Sequence, residues 1–440
     1  MILIYTDELN PRIVYTCRLL FTQILQSEIS FTTNSDYLLN PDMPVLNYSR
    51  KKFGNEFYIK PHRLMYSGDI SKPVIRPVTY NGEKYFFESS GESDLPFDPL
   101  AASFYLVTRY EEYMEEKRDK YNRYPAKASI LYEYGLLKKP VVNIWAGLLG
   151  EKLKEKYPGF VFSSGKFDFL STIDIDNAWA YAHKKLWRIT GAIIRAAVLG
   201  HFKDIKNRIL VLCNKMEDPY YSYPFLDKVF KGNESKVIFF FLIGDYKRND
   251  KNVSYKNKYY RKLIYDTAHK YSAGVHFSFS SGKLIKKDKF RAEIKRMEDI
   301  TGSKINKSRQ HFLLLGIPDT YRMLSEAGIN EDYTMGYASQ TGFRAGICTP
   351  YYFYDLKNEA PTNLKIVPFM VMDTTLQNYL GFSAAEAHGE IEKLMREVKK
   401  VGGLFVSIWH NETLDEKGIR KGYRAVFEKM NKTGFQWSDE

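Results

Sequence analysis

The sequence predicts an α/β protein: a distorted (β/α) barrel of about seven strands, preceded by a smaller α/β domain. From Lys166 onward, strand-sized apolar runs alternate with stretches of helical periodicity, which favours a parallel sheet or barrel. Before that point, polar loops containing Pro and Asn separate the elements, and Pro158-Gly159 then interrupts the chain. We therefore expect an N-terminal α/β domain over residues 1–160 and the barrel over residues 161–440.

The first domain contains one predicted strand and three predicted helices, placed by their apolar spacing. They are the strand Ile2–Tyr5 and the helices Pro11–Gln26, Pro99–Glu116 and Val142–Tyr157. Within the second helix, Arg109, Glu111 and Glu112 are interpreted as an ion-paired helix face, with a functional site as the alternative. The sequence assigns no chemistry to this domain.

Seven runs in the second domain have the length and composition of strands. They are Phe167–Ile175, Lys236–Ile243, Gly274–Phe279, His311–Leu315, Gly342–Gly346, Lys365–Met372 and Leu404–Trp409. A helix is predicted over Ser383–Val401, because its SAAE start is a capping box and Gly402-Gly403 provides a C-terminal stop. Residues 178–235 are basic, partly helical and too long for an ordinary loop, so we expect an inserted lid or subdomain.

The net charge of +13 would suit an acidic partner such as nucleic acid, anionic lipid or anionic glycan. The Lys and Arg residues are scattered, however, and no nucleic-acid-binding motif is present, so we predict no nucleic acid partner. Three widely spaced cysteines (Cys17, Cys213 and Cys348) form neither a disulfide framework nor a zinc-knuckle pattern.

The chain begins MILIYTDELN, without the charged region and the longer apolar region of a signal peptide. No apolar stretch approaches the length of a membrane span, since Val237–Ile243 is strand-sized. The sequence therefore predicts a cytoplasmic protein with no membrane span. It does not indicate an oligomeric state.

Two aspartates end the first predicted strand of the barrel, in KFDFLSTIDID (Lys166–Asp176). Side chains two apart on a strand point the same way, so Asp174 and Asp176 would project into one site, roughly 6–7 Å apart. Such a pair suits a metal ligand beside a general base, and the alternative is a solvated strand end or a helix N-cap. In barrels of this type the active site lies at the C-terminal ends of the strands.

A histidine follows the same logic on the third predicted strand, in AGVHFSFSSGK. His276 would share a strand face with Ser278 and Ser280, away from the aromatic residues of the run. With Asp176 it would form a nitrogen and oxygen ligand pair suited to zinc or another divalent first-row metal. The alternative is a structural histidine.

Two further segments bring basic side chains to strand ends. Arg309 and His311 would share a strand face, where the arginine could pair with a carboxylate and fix its ionised state; a plain exposed strand start is the alternative. His410 ends the apolar run Leu404–Trp409, and its neutral-range pKa suits a general acid or base. The alternative for His410 is a surface-turn histidine.

These segments together resemble the motifs of the polysaccharide deacetylases (carbohydrate esterase family 4). STIDID (Ser171–Asp176) resembles the first motif, and AGVHFSFSS resembles the second, histidine-bearing motif. ITGSKINKSRQHF is similar to the stretch leading into the third, arginine-bearing motif, and GGLFVSIWHNE resembles the last. The similarity covers about Gly165 to Trp437. The chain resembles a divergent bacterial branch of this family with an extra N-terminal domain.

The resemblance implies a role for each matching residue. Asp174 would be the general base, held by Arg309, and His410 the general acid that protonates the leaving amine. Asp176 and His276 would bind a divalent metal, zinc or alternatively cobalt or manganese. In the family the metal polarises a water molecule, the base takes the water proton, and the metal steadies the oxyanion.

The chain departs from the family pattern in two places. The family usually has a second metal-binding histidine four residues after the first, where this chain has Ser280. A neutral hydroxyl binds zinc weakly, so His311 is the candidate third ligand, and the metal could also be absent. After Arg309 the family continues with proline-containing residues that shape an oxyanion hole, whereas Gln310 and His311 follow here.

Several assignments stay open in the sequence. Arg344, in GFRAG, could line the cleft or replace Arg309 as the partner of Asp174. Either Asp332 or Asp373 could orient His410. The candidate substrate contacts are Arg344, Tyr351 and Trp409. Of these, Tyr351 opens an aromatic run that could be a sugar platform or the edge of a core strand.

The function predicted is a metal-dependent hydrolase that cleaves a C–N bond other than a peptide bond, removing N-acetyl groups from a sugar or glycan. Cytoplasmic location favours a nucleotide- or lipid-linked glycan precursor as the substrate. The alternative is a non-catalytic descendant that binds a glycan or a protein. A glycoside hydrolase would need two acids across a sugar, and Asp174 and Asp176 share one strand tip.

Overall fold

A computed structural model describes residues 1–38, 43–89, 91–284 and 287–440. It contains a four-stranded sheet near the N-terminus, a nine-stranded sheet in the rest of the chain, and a separate two-stranded hairpin. The alternation of strands and helices confirms the predicted α/β class.

The N-terminal sheet has the strand order β2-β1-β3-β4, and all its pairs are parallel. Its strands are β1 (Ile2–Tyr5), β2 (Ile29–Thr32), β3 (Val45–Asn47) and β4 (Phe57–Tyr58); β5 (Val78–Tyr80) and β6 (Glu83–Tyr85) form the hairpin. The helices of this region are α1 (Pro11–Cys17), α2 (Pro99–Val107), α3 (Ile130–Glu133) and α4 (Val141–Lys156). The predicted strand Ile2–Tyr5 and the helix predicted over Val142–Tyr157 are confirmed, as β1 and α4.

Two of these helices differ in detail from the prediction. The helix predicted over Pro11–Gln26 changes to π-helical geometry over Arg18–Ile24. The helix predicted over Pro99–Glu116 ends at Val107, because Arg109 adopts a left-handed backbone conformation with φ of 55°. That conformation cannot continue a right-handed helix. A short 3₁₀ turn, Tyr110–Tyr113, follows.

The large sheet has the order β12-β13-β11-β10-β9-β8-β7-β15-β14. Its strands are β7 (Asp168–Ile175), β8 (Val237–Leu242), β9 (Ser272–Phe277), β10 (Lys307–Gln310), β11 (Glu331–Asp332), β12 (Tyr351–Asp355), β13 (Ala360–Ile366), β14 (Val371–Met372) and β15 (Leu404–His410). Neighbouring strands are parallel except for the pair β12 and β13. Among the described residues no strand pairing joins the edges β12 and β14, so the predicted closure into a barrel is not shown.

Three of the seven predicted strands are wrong in position or kind. His311–Leu313 is a 3₁₀ turn that follows β10, and Lys365–Met372 is divided between β13 and β14. Gly342–Gly346 forms buried turns instead of a strand. Gly342 has a φ of 116°, and a Cβ atom there would lie 2.3 Å from the Leu137 carbonyl oxygen. Only glycine fits this close approach.

The remaining helices surround the large sheet and its connections. They are α5 (Leu186–Val198), α6 (Phe202–Leu212), α7 (Tyr223–Phe230), α8 (Lys258–Lys270), α9 (Phe279–Leu284), α10 (Lys287–Thr301), α11 (Asp319–Glu326), α12 (Ala384–Lys400) and α13 (Tyr423–Asp439). Helices α5, α6 and α7 lie within the predicted insertion. The capping box before α12 is present, because Ser383 and Glu386 exchange side-chain and backbone hydrogen bonds. None of the described helices combines the length and apolarity needed to cross a bilayer.

The N-terminal region packs closely against the large sheet. One hydrophobic cluster includes core residues of both regions, such as Leu106, Trp145, Phe343 and Tyr354. Arg12 also reaches across to Glu359, with nitrogen–oxygen distances of 2.8 and 2.5 Å. The boundary at residue 160 therefore stays a prediction, because the core is continuous across it.

Candidate metal and catalytic site

The parallel strands deliver the predicted site residues to one edge of the large sheet. Cα pairing places His410 beside Asp174, and Arg309 beside His276. Asp176 and His311 lie directly after strands β7 and β10. Asp174, Asp176, His276, His311 and His410 line one pocket of about 240 Å³. The buried Arg309 reaches Asp174 from beneath it, so the structure brings all six residues together.

Asp176 is at the centre of the group. Its Oδ1 lies 3.2 Å from His276 Nε2, and its Oδ2 lies 3.1 Å from His311 Nε2. The candidate ligand atoms of these three residues all lie within 4.8 Å of one another. Two imidazole nitrogens and one carboxylate form a donor set that suits zinc, with room for other divalent first-row metals.

The far nitrogen of each imidazole has a partner that fixes the ring. His276 Nδ1 lies 3.1 Å from the backbone oxygen of Arg309, and His311 Nδ1 lies 3.1 Å from Asp250 Oδ1. A carbonyl oxygen only accepts, so His276 must donate from Nδ1. Both Nε2 atoms consequently face Asp176. Metal-ligating histidines are held in this way by their outer partners.

Two observations test whether Asp176 fits a cation. Its buried Oδ1 atom accepts no hydrogen bond of good geometry from the described residues, although His276 Nε2 lies 3.2 Å away. Burial alone would raise the pKa of Asp176, but His311, His276 and His410 together hold it well below its usual range. Asp176 is therefore an ionised carboxylate whose Oδ1 faces His276 Nε2 without a well-formed hydrogen bond. Burial lowers the pKa of His311, but Asp176 and then Asp250 raise it to about 9.

Asp174 is held by an arginine. Arg309 Nη1 donates to Asp174 Oδ1 at 2.6 Å and to Thr172 Oγ1 at 2.8 Å. The fully buried guanidinium also lies 4.5 Å from the centre of the Phe240 ring. Arg344 does not compete for Asp174, because its own guanidinium binds Glu112 at 2.7 Å. Of the two candidates, Arg309 is the partner of Asp174.

His410 is oriented by Asp373. The imidazole Nδ1 lies 2.8 Å from Asp373 Oδ1, and the His410 backbone N–H donates to Asp373 Oδ2 at 2.7 Å. Burial lowers the pKa of His410, but Asp373, followed by Asp176 and Asp174, raises it to about 10. Asp332, the other candidate, is occupied by hydroxyl donors on neighbouring residues. His410 is therefore a protonated imidazole at neutral pH, with Nε2 directed towards the pocket.

Sequence reasoning missed Asp250. Its carboxylate accepts backbone N–H groups of Phe279 and Ser280 at 2.7 and 3.1 Å, and a hydrogen bond from the Ser280 hydroxyl. Ser280 therefore helps to hold Asp250, the residue that orients His311. The sequence gives little indication of this role, because Asp250 lies in a loop eight residues beyond the end of β8.

Arg123, from the N-terminal region, was also missed. It lines the same pocket and donates to the Phe312 backbone oxygen at 2.8 Å and to the Tyr379 hydroxyl at 3.1 Å. Asp119 holds its Nε at 2.8 Å. Phe312 and the next residue both have left-handed backbone conformations. Arg123 therefore clamps the strained turn that immediately follows His311.

The three predicted substrate contacts do not line this pocket. Trp409 is fully buried and packs against Phe427, on the opposite face of β15 from His410. Tyr351 is 1% exposed and belongs to the core edge of the sheet, which was the alternative interpretation of the aromatic run. Arg344 lines a neighbouring pocket, but its guanidinium is paired with Glu112. Successive side chains of a strand point to opposite faces. Because His410 faces the site, Trp409 faces the core.

Comparisons with known proteins give partial matches to the chain. A model described as a family of unknown function (DUF7033) matches residues 2–158. No curated protein matches the chain. Twelve chains of solved structures match it. One is a candidate polysaccharide deacetylase from Mycobacterium smegmatis, with 14% identity and a TM-score of 0.39, covering 62% of this chain and 86% of that one.

Another match is a CE4 family pseudoenzyme from Bacillus anthracis. It has 12% identity and a TM-score of 0.30, and the match covers 61% of this chain and 62% of the pseudoenzyme. A mutant of this pseudoenzyme with restored enzymatic activity matches with 12% identity and a TM-score of 0.30, covering 61% of this chain and 64% of the mutant. Less than two thirds of the pseudoenzyme is therefore matched.

Proposed function

We propose that the chain is a metal-dependent hydrolase that removes N-acetyl groups from a sugar or glycan precursor. One observation carries the proposal: Asp176, His276 and His311 converge in one pocket, between the pair formed by Asp174 and Arg309 and the pair formed by His410 and Asp373. Amide hydrolysis needs a base for water, an acid for the amine and stabilisation of an oxyanion.

The donor set fits a divalent cation held by Asp176, His276 and His311. Zinc is the first candidate, with cobalt or manganese as alternatives. When bound, the cation would act as a Lewis acid towards water and the acetyl carbonyl group. The Oδ1 atom of Asp176, which accepts no hydrogen bond of good geometry, supports this assignment.

Asp174 is the proposed base. Arg309 engages its Oδ1, so Oδ2, which lies 3.7 Å from His276 Nε2, is the oxygen directed into the group. It would take one proton from water as the water oxygen bonds to the acetyl carbon. The C–N bond then breaks. The products are acetate and a free amino sugar.

His410 is the proposed acid. Its raised pKa keeps the imidazole protonated at neutral pH, and Asp373 fixes Nδ1, so Nε2 is the nitrogen that would donate. The departing amine would receive that proton as it leaves. Asp174 would therefore take up a proton on one side of the pocket, and His410 would release one on the other.

We further propose that the substrate is a nucleotide- or lipid-linked glycan precursor encountered in the cytoplasm. Fractionation that found the full-length protein only in the periplasm or the medium would contradict it.

The test is acetate release from N-acetylhexosamines supplied free, nucleotide-linked and lipid-linked, using protein equilibrated with zinc or cobalt. We expect turnover of at least one class by the wild type. The matched control is Asp168→Asn, an exposed aspartate at the start of the same strand, which should stay active. Metal-loaded protein that binds these compounds but releases no acetate would instead support a non-catalytic binding protein.

A further inference from the structure

The insertion that follows β7 carries an unusual apolar surface. Helices α5 and α6 form a hairpin over residues 186–212, and eight of the 21 exposed large apolar side chains of the described residues lie within it. They are Leu186, Trp187, Ile194, Val198, Leu199, Phe202, Ile209 and Leu212. This segment is only 27 residues long, so the exposed apolar residues are concentrated there.

The apolar side chains follow helical spacing. In α5, Trp187, Ile194 and Val198 are separated by seven and four residues and lie on one face, with exposures of 58, 64 and 81%. The buried residues Ala196 and Val211 lie on other faces, one on each helix. Each helix is therefore amphipathic, and the apolar residues named above are directed away from the protein.

The same segment is strongly basic. Residues 184–215 contain eight Lys or Arg residues and one acid, so their net charge is 8 − 1 = +7 of the chain total of +13. The single acid, Asp204, is already paired with Arg208 at 3.2 Å. Exposed apolar faces flanked by unneutralised cations are typical of helices that lie in the interface of an anionic membrane.

We propose that this hairpin docks the protein on an anionic phospholipid surface. Trp187, Ile194, Val198 and the hairpin tip at Leu199–Phe202 would enter the headgroup and acyl boundary. The exposed cations Lys185, Arg195, Lys203 and Lys206 would contact lipid phosphates. A second copy of this chain would bind this surface less well, because the two segments, each with a net charge of +7, would repel each other. Docking of this kind needs no membrane-spanning helix.

The hairpin is attached close to the proposed catalytic site. It follows β7, whose end carries Asp174, and Arg188 in α5 donates to the backbone oxygens of Asn252 and Lys251 at 2.9 and 2.8 Å. Those residues directly follow Asp250, which orients His311. A docked hairpin would hold the pocket near the bilayer, which favours a lipid-linked glycan as substrate. This substrate assignment rests on the proposed function, whereas docking does not.

The first test is co-sedimentation of the full chain with vesicles of phosphatidylcholine alone or with one quarter phosphatidylglycerol. We expect binding to the anionic vesicles only. The triple variant Trp187→Ser, Ile194→Ser, Val198→Ser should weaken it at least about tenfold, and Lys203→Glu with Lys206→Glu should also weaken it. The control triple Val74→Ser, Val161→Ser, Ile419→Ser removes equally exposed residues elsewhere and should bind as the wild type does.

Tryptophan fluorescence gives an independent readout. Trp145, Trp179 and Trp409 are buried and Trp437 is partly buried, whereas Trp187 is exposed. Anionic vesicles should therefore shift the emission to shorter wavelength through Trp187. The variant Trp187→Phe should lose the shift and still sediment with the vesicles.

Two results would overturn docking. One is equal sedimentation of the wild type and the apolar triple variant. The other is a dimer in light scattering that the triple variant converts to a monomer, without vesicle binding by either, which would make the face an interface between copies. Neither measurement uses catalysis, so failure of docking and failure of the proposed hydrolase are separate outcomes.

Discussion

Asp174 and Asp176 are two residues apart, yet their neighbours assign them different chemistry. Asp174 has a buried arginine on one oxygen, whereas Asp176 faces two imidazole Nε2 atoms. The sequence predicts both positions and this division through the family resemblance. The arrangement of the partners supports the same division, since it places a cation partner beneath one acid and metal-type ligands around the other.

Substitution of the two aspartates should therefore have different consequences. Asp174→Asn should abolish acetate release while the protein retains its metal, because the proposed ligand set is untouched. Asp176→Ala should lose both acetate release and the metal, because it removes the only carboxylate of the proposed ligand set. Elemental analysis and an acetate assay on both variants check this. Equal metal contents in the two variants would contradict the division of roles.

The pair formed by His410 and Asp373 leads to a pH prediction. Asp373, followed by Asp176 and Asp174, raises the pKa of His410 to about 10 against the effect of burial, and a general acid works only while it is protonated. Activity that depends on this proton is present below the pKa and is lost as pH rises through it. In Asp373→Asn the pKa should fall, so the alkaline limb of kcat/KM should move to lower pH. An unchanged limb would contradict the assignment of His410.

At the scale of elements, the long apolar strands could be predicted and the short ones could not. Strands β7, β8 and β15 are six to eight residues long, and local composition alone indicates them. Strands β11 and β14 have two residues each and exist only through pairing with distant segments. The strand predicted from His311 failed because the backbone of Phe312 and Leu313 is left-handed, which residue type does not indicate.

That left-handed turn provides a prediction for Arg123. Arg123 holds the Phe312 backbone oxygen and the Tyr379 hydroxyl, so it supports the segment that carries His311. Arg123→Ala should lower metal affinity by about 10–100-fold, which is typical for loss of an outer partner. Zinc titration against a chelator measures this. Arg118→Ala, which removes an exposed arginine of the same region, should leave the affinity unchanged.

At the scale of the whole molecule, a buried ionic network joins the N-terminal region to the large sheet. Glu112 binds Arg109 at 2.8 Å and Arg344 at 2.7 Å, and all three side chains are at most 3% exposed. The sequence interpretation of Arg109 and Glu112 as ion-paired was correct. Their placement on a helix face was wrong, because the helix ends at Val107. The second partner of Glu112, Arg344, is 232 residues away, and no local pattern links them.

Loss of this network should destabilise the fold. Glu112→Gln leaves Arg344 buried without its carboxylate, whereas Arg109 keeps Glu111 at 2.7 Å, and breaking a buried pair in this way costs about 3–5 kcal/mol. Urea unfolding of the full chain measures the change in free energy. Glu83→Gln breaks a partly exposed pair with Lys139 and should change it little. Similar values for the two variants would show that the network is not required.

The candidate site shows the same limit of prediction. Asp174, Asp176, His276, Arg309 and His410 lie in recognisable segments, so their convergence could be predicted. The groups that orient them, Asp250, Asp373 and Arg123, come from loops and from the other region of the chain. Their contacts depend on tertiary structure, and only Asp373 was even considered from the sequence.

The most direct test of the central claim is the metal content of the purified protein after equilibration with zinc and removal of loosely bound ions. We predict about one metal ion per chain in the wild type, as three converging ligands require. His276→Ala and His311→Ala should each lose it, and His269→Ala, an exposed histidine on α8, should keep it. A wild-type protein that retains no metal, or a His311→Ala variant that retains a full complement, would contradict the proposed site.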